Sequence, residues 1–172
     1  MVFSLIPLLF SQVRGSHRQP SFRASFSVHP IGSVIKEGSH TTIVLDKNYQ
    51  PGLMGLENFS HVYVFYWFHR NDTPEKRSIL QVHPRADQGK PLRGVFATRS
   101  PVRPNLIAQS LCRVLSIKKN VIEIDKIDAL PDTPVIDIKP FIPDNDYAEN
   151  SRIPEWLEKI LQCGAEKSDG LE

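Results

Sequence analysis

Apolar positions fall in short runs with a two-residue period, separated by clusters of glycine, proline and polar residues. That period places alternate side chains on opposite faces, so each run predicts a β-strand. Ile31 to Lys36 and Thr41 to Asp46 are the first two, β-branched and joined through Gly38 and Ser39. Ser78 to His83 and Gly94 to Thr98 read as further strands. Ser110 to Ile117 and Val121 to Ile127 read as a hairpin about Lys118, Lys119 and Asn120, and Val135 to Ile138 as a last strand running into Pro140. In the second arm of the hairpin Ile122 and Ile124 face inward, Glu123 and Asp125 outward. Helical spacing occurs in two short places: Leu53, Leu56 and Phe59 within Pro51 to His61, and Trp156, Leu157 and Ile160 within Pro154 to Leu161, where Ser151 can cap.

The clearest strand is His61 to His69, seven apolar or aromatic residues between two histidines. Val62, Val64, Tyr66 and Phe68 point one way and Tyr63, Phe65 and Trp67 the other. Both faces are apolar, so the outer one needs a cover: a helix, a tail or a second subunit. Many short strands with turn signals between them mean an all-β sandwich or barrel. No helices alternate with the strands and no glycine-rich phosphate loop is present, which excludes a doubly wound nucleotide-binding fold.

With 172 residues, 40% hydrophobic and 23% charged, the chain can build one core. Its formal charge of +2 is unevenly spread. Arg85 to Lys119 holds eight basic residues against one acid, Asp87, whereas Asn120 to the end holds thirteen acids against five bases. A basic middle can hold a phosphate or another anion. Cys112 and Cys163 have no metal or redox spacing and read as reduced thiols of a cytoplasmic protein. The apolar run Val2 to Phe10 is too short to cross a bilayer and is broken by Pro7. With the Ser-, Arg- and Gln-rich stretch that follows, it reads as a disordered leader, a signal peptide being the alternative. The organisation expected is a leader over 1–27, a barrel domain over 28–143 and a C-terminal helix and tail over 144–172.

Two segments carry candidate chemistry. In GVFATRSPVRPN, Gly94 to Asn105, Pro101 and Pro104 stiffen a loop holding Arg99 and Arg103. The two arginines can converge on a carboxylate or phosphate, and Asn105 offers a donor and an acceptor. In DALPDTPVIDIKPF, Asp128 to Phe141, three aspartates lie among three prolines. Asp137 sits between Ile136 and Ile138, where a carboxylate needs a partner or a ligand; Lys139 lies two residues on, on the same face. His69 and Arg70 place two polar groups at the end of the aromatic strand. His61, His69 and His83 lack metal-ligand spacing, so no metal is expected.

Four stretches resemble the TsaA-like family, also called the TrmO family: HPIGSV (His29 to Val34), GLMGLENFSHVYVFYWFH (Gly52 to His69), GVFATRSPVRPN and DTPVIDIKPF (Asp132 to Phe141). The resemblance covers about Val28 to Pro143. It implies an antiparallel β-barrel of roughly seven strands with short helical insertions. It also implies a homodimer that binds S-adenosylmethionine (SAM) near its interface, and methylation of the exocyclic amine of a threonylcarbamoyl-modified adenosine beside the tRNA anticodon. By motif position, the cofactor contacts implied are His69, Arg70, Arg99, Gln109, Ser110, Leu111 and the loop Asp128, Ala129, Leu130, Pro131.

Arg99 or Arg103 would bind the cofactor carboxylate, with Asn105 beside them, and carbonyls of the Asp128 loop its adenine or amine. His69 and Asp137 are the candidate general bases. The chain departs from the family in three places. The usual Pro-Arg-Gln between the first two strands is absent from the turn Lys36 to His40, and His17 to Pro20, which resembles it, precedes the first strand. Leu106 to Ser110 replaces Pro-Ile-Gly-Leu-Ser, and Pro131-Asp132 replaces Asp-Gly. A small-molecule methyltransferase and a non-catalytic SAM-binding barrel are the alternatives.

Overall fold

A computed structural model describes residues 25–165. The run Val2 to Phe10, the Pro-Arg-Gln-like His17 to Pro20, the rest of the leader up to residue 24, and the Cys163 side chain lie outside the described residues. Among the described residues eight strands form: β1 (Gly32–Glu37), β2 (His40–Leu45), β3 (His61–Trp67), β4 (Gln81–Val82), β5 (Arg93–Gly94), β6 (Ile107–Lys118), β7 (Val121–Ile124) and β8 (Pro134–Pro140). Six of them close an antiparallel barrel in the order β1-β2-β7-β6-β3-β8, while β4 and β5 make a separate two-stranded ladder. Three short helices accompany them: α1 (Pro74–Arg77), α2 (Pro143–Asp146) and α3 (Glu155–Ala165).

Alternation decides what is inside. Val34, Ile43, Val62, Val64, Ile122 and Val135 are wholly buried, and Tyr66, Cys112 and Ile124 nearly so. Each buried valine or isoleucine contributes about 1.5–3 kcal/mol. The β1–β2 wall is drawn in so closely that a Cβ on Gly32 would lie 2.3 Å from the Val44 carbonyl oxygen, so only glycine fits there. On the outer face of β3, Phe141 packs edge-on against His61 and Tyr63 at 6.3 and 5.9 Å, and the Arg77 guanidinium lies 5.3 Å from the Trp67 ring centre. The chain thus covers part of the second apolar face itself.

Several expected elements differ in extent. Gly94 to Thr98 is not a strand beyond Gly94: Val95–Ala97 is a 3-10 turn. Val95 is buried, its N–H donates to the Leu80 carbonyl at 2.9 Å, and the Thr98 N–H and hydroxyl both return to the Val95 carbonyl at 3.2 Å. In the segment expected as Ser78 to His83, Ser78 ends α1 and only Gln81–Val82 pairs. Strand β7 stops at Ile124 because the Asp125 carboxylate accepts the Arg113 and Lys126 N–H groups. Ser151 does not cap α3; the Pro154 carbonyl accepts the first turn's N–H groups from Leu157 and Glu158. The β6–β7 turn at Lys118–Lys119 lies nine residues along β6 from Gln109, about 30 Å in an extended strand.

Candidate functional site

The end of β3, the start of β6 and the loop after β7 meet at one end of the barrel. Two polar brackets hold them. The Phe68 N–H donates to the Leu106 carbonyl at 2.9 Å, tying the turn His69–Asn71 to the start of β6. From α1, the Arg77 Nε donates to Asp72 at 2.8 Å and another guanidinium nitrogen donates to the Pro104 carbonyl at 3.0 Å. The Trp67 indole N–H donates to the second Asp72 oxygen at 2.9 Å. The Lys76 ammonium donates to the Arg70 carbonyl and the Asn71 side chain. Helix α1 begins cleanly because Thr73 caps it and Pro74 occupies its first turn. The Arg77 and Trp67 hydrogen bonds hold the Asp72 carboxyl below its ordinary value of 3.8.

Two cavities open side by side over this scaffold. The smaller, about 420 Å³, is lined by residues that include Lys36, His69, Arg70, Asn71, Ala129, Leu130 and Thr133. The larger, about 970 Å³, includes Phe65, Phe96, Arg103, Asn105, Gln109, Leu111 and Lys126. Tyr66, Phe68, Arg99 and Asp128 line both and form the wall between them. Tyr66 is the rigid part of that wall. Its ring meets Phe68 edge-on at 5.8 Å, its hydroxyl donates to the Asp128 carbonyl, and it pairs with the Ser110 hydroxyl at 3.2 Å. Burial pushes its phenol pKa up, so it stays a neutral donor and is no base. The Lys36 ammonium donates to the Ile127 carbonyl at 3.0 Å and fastens the other side of the same loop to β1.

Most of the expected site residues therefore converge. His69, Arg70, Arg99, Asp128, Ala129 and Leu130 border the smaller cavity; Arg103, Asn105, Gln109, Ser110 and Leu111 border the larger. Two do not join them. Pro131 lines neither cavity. Asp137 is exposed on the outer face opposite Phe65; its carboxylate accepts the Ile138 N–H and pairs with Lys139 at 3.4 Å. The bridge to Lys139 is thus the pair that the sequence left open, and Asp137 lines neither cavity. The residues not anticipated include Tyr66, Phe68, Lys36, Thr133, Phe96 and Lys126. Tyr66 and Phe68 sit in an apolar alternation that reads as core, and Lys36 lies near the end of a strand that carries no motif.

The arrangement can hold an anion through Arg99, with Lys36, Arg70 and Arg103 nearby, and a cation against the Tyr66 and Phe68 faces. Among the described residues no group of three His, Cys, Asp or Glu side chains could hold a metal ion, and no helix is long and apolar enough to cross a membrane.

Comparison with known proteins bears on this site. The model of the tRNA-methyltransferase O N-terminal domain matches residues 18–147. A probable S-adenosyl-L-methionine-binding protein of Methanocaldococcus jannaschii is 47% identical over 116 residues, 67% of this chain and 92% of its own length. A probable protein of the same description from Pyrococcus horikoshii is 41% identical over 134 residues, 75% of this chain and 96% of its own. The tRNA (adenine(37)-N6)-methyltransferase of Rattus norvegicus is 36% identical over 159 residues, 90% of this chain but 33% of that enzyme. The crystal structure of TrmO from P. aeruginosa superposes with a TM-score of 0.59 at 30% identity, over 77% of this chain and 62% of that one.

Proposed function

Since the chain belongs to the tRNA-methyltransferase O N-terminal domain family, we propose that it transfers a methyl group from SAM to the N6 amine of adenine 37 in tRNA, in its threonylcarbamoyl-modified form. The observation that carries this reading is the shared wall. Two adjoining cavities with Tyr66, Phe68, Arg99 and Asp128 in common let a cofactor and an acceptor base lie against the same side chains. Both volumes fall within the range of small-ligand sites.

The donor set fits the cofactor. Arg99 would hold its carboxylate, with Arg70 and His69 at the rim, the Tyr66 and Phe68 rings facing its cationic centre, and the Asp128–Leu130 loop and Gln109–Leu111 its remaining polar atoms. When bound, SAM supplies an electrophilic methyl group. Methyl transfer is an in-line displacement, so the chain's work is chiefly positioning, which the two brackets and the Tyr66 and Lys36 hydrogen bonds provide. The amine must also lose a proton, and His69, half-buried at the smaller cavity, is the group that would take it. Leu111 and Leu115, exposed on the outer face of β6, support a homodimer. The buried free thiol of Cys112 suits a cytoplasmic setting.

The test is transfer itself. Incubated with methyl-labelled SAM and a threonylcarbamoyl-modified anticodon stem–loop, the protein is expected to place label in the RNA, and nucleoside mass spectrometry should locate it on the modified adenine. Binding of SAM with no label in RNA would replace this reading with a SAM-binding barrel that does not act on tRNA.

A further inference from the structure

Phe96 is the most exposed apolar side chain bordering either cavity, with 79% of its surface open. It is not loosely held. Val95 beside it is 1% exposed and its N–H is bound to the Leu80 carbonyl, while Thr98 closes the turn onto the Val95 carbonyl. The backbone is thus anchored on one side of the 3-10 turn and presents the ring on the other. Arg99, Arg103 and Lys126 border the same cavity, against one acid, Asp128. None of these three cations takes part in a salt bridge among the described residues.

An open aromatic ring beside unpaired cations is the make-up of a platform for single-stranded nucleic acid: the ring accepts a base face and the cations meet the phosphates on either side. A second copy of the chain suits the spot less well. In a two-fold contact centred on this patch the patch meets itself, so the three cations of a second copy would be brought against these three. We propose that Phe96 stacks on a nucleobase next to the methylated one, with Arg103 and Lys126 holding the flanking phosphates. This rests on the reading of RNA as the substrate and assigns the residues that grip its loop.

The probe is an anticodon stem–loop RNA with 2-aminopurine beside the target adenine, titrated with the full chain at low salt. Stacking on Phe96 quenches the probe. Phe96→Ala is expected to abolish the quenching and weaken RNA binding by about tenfold or more. SAM affinity and sedimentation should stay as in the native chain. Phe96→Tyr, which keeps the ring, should restore both RNA signals. Unchanged quenching and affinity in Phe96→Ala would overturn the proposal and leave the methyltransferase reading intact. A shift of Phe96→Ala from dimer to monomer would assign the ring to the contact between copies instead. A native chain that neither binds nor quenches the RNA at low salt would overturn the RNA reading, and the platform with it.

Discussion

At the scale of single residues, the wall between the cavities concentrates the consequences. Arg99 borders both cavities and carries no salt bridge among the described residues, which leaves its guanidinium for a ligand carboxylate. Arg99→Ala should weaken SAM binding by about 1.5–3 kcal/mol, the worth of a charged hydrogen bond, as read by calorimetry. Because Arg99 is exposed and makes no side-chain hydrogen bond or salt bridge among the described residues, the melting temperature should hardly move; a large fall there with SAM affinity unchanged would make the residue structural. Arginine in a proline-stiffened loop was legible from the sequence, since rigidity and a charged fork together suggest a ligand. Tyr66 was not. Its phenol matters through the Asp128 carbonyl, sixty-two positions away in the chain, and nothing local to an aromatic strand announces a partner so distant. Asp137 shows the converse: a carboxylate amid isoleucines looks costly, yet the strand's alternation turns it outward to Lys139.

At the scale of elements, a four-residue helix governs two loops. Helix α1 reaches the His69–Asn71 turn through Lys76 and the Arg103–Asn105 loop through Arg77. Arg77→Ala removes the Asp72 bridge, the bond to the Pro104 carbonyl and the contact with Trp67. The melting temperature should fall by roughly 2–5 °C, and SAM affinity with it as both loops loosen. The effect should depend on pH. The Asp72 carboxyl is held below 3.8 in the fold, so its stabilisation is complete above that value and is lost as pH falls through the lower, folded one. The gap in melting temperature between native and Arg77→Ala chains should be constant near neutrality and shrink in acid below about pH 4. A gap that widened in acid would contradict the bracket. The long strands were readable because their alternation continues through the wall they form. The Gly94–Thr98 run was misread because a five-residue apolar segment does not reveal that Val95 anchors a turn rather than a ladder.

For the whole molecule, closure of the sheet fixes how copies can meet. The barrel leaves no unpaired edge among its six strands, so association of barrels uses their faces. The outer face of β6, with Leu111 and Leu115 about half exposed, is an apolar surface that Phe141 and Arg77 leave uncovered. Sedimentation at micromolar protein should therefore give twice the 19.5 kDa chain mass, and Leu111→Asp should shift it toward the single chain. A monomeric native chain would leave that face to another partner. The all-β class was legible from strand spacing and turns, and closure into a barrel from the family resemblance; the order of strands around the barrel was not, because the pairings of β1 with β8 and β2 with β7 join distant segments. The β1–β8 join is also the narrowest, two residue pairs at Gly32–Val135 and Ser33–Pro134. It closes the longest stretch of intervening chain for only two pairs, so loop entropy predicts that it is the last seam to zip. Thr133, one residue from that seam, and Lys36, on the strand beside it, line the smaller cavity. A molecule gripping both would act as a staple, slowing the ring's opening as well as filling its mouth.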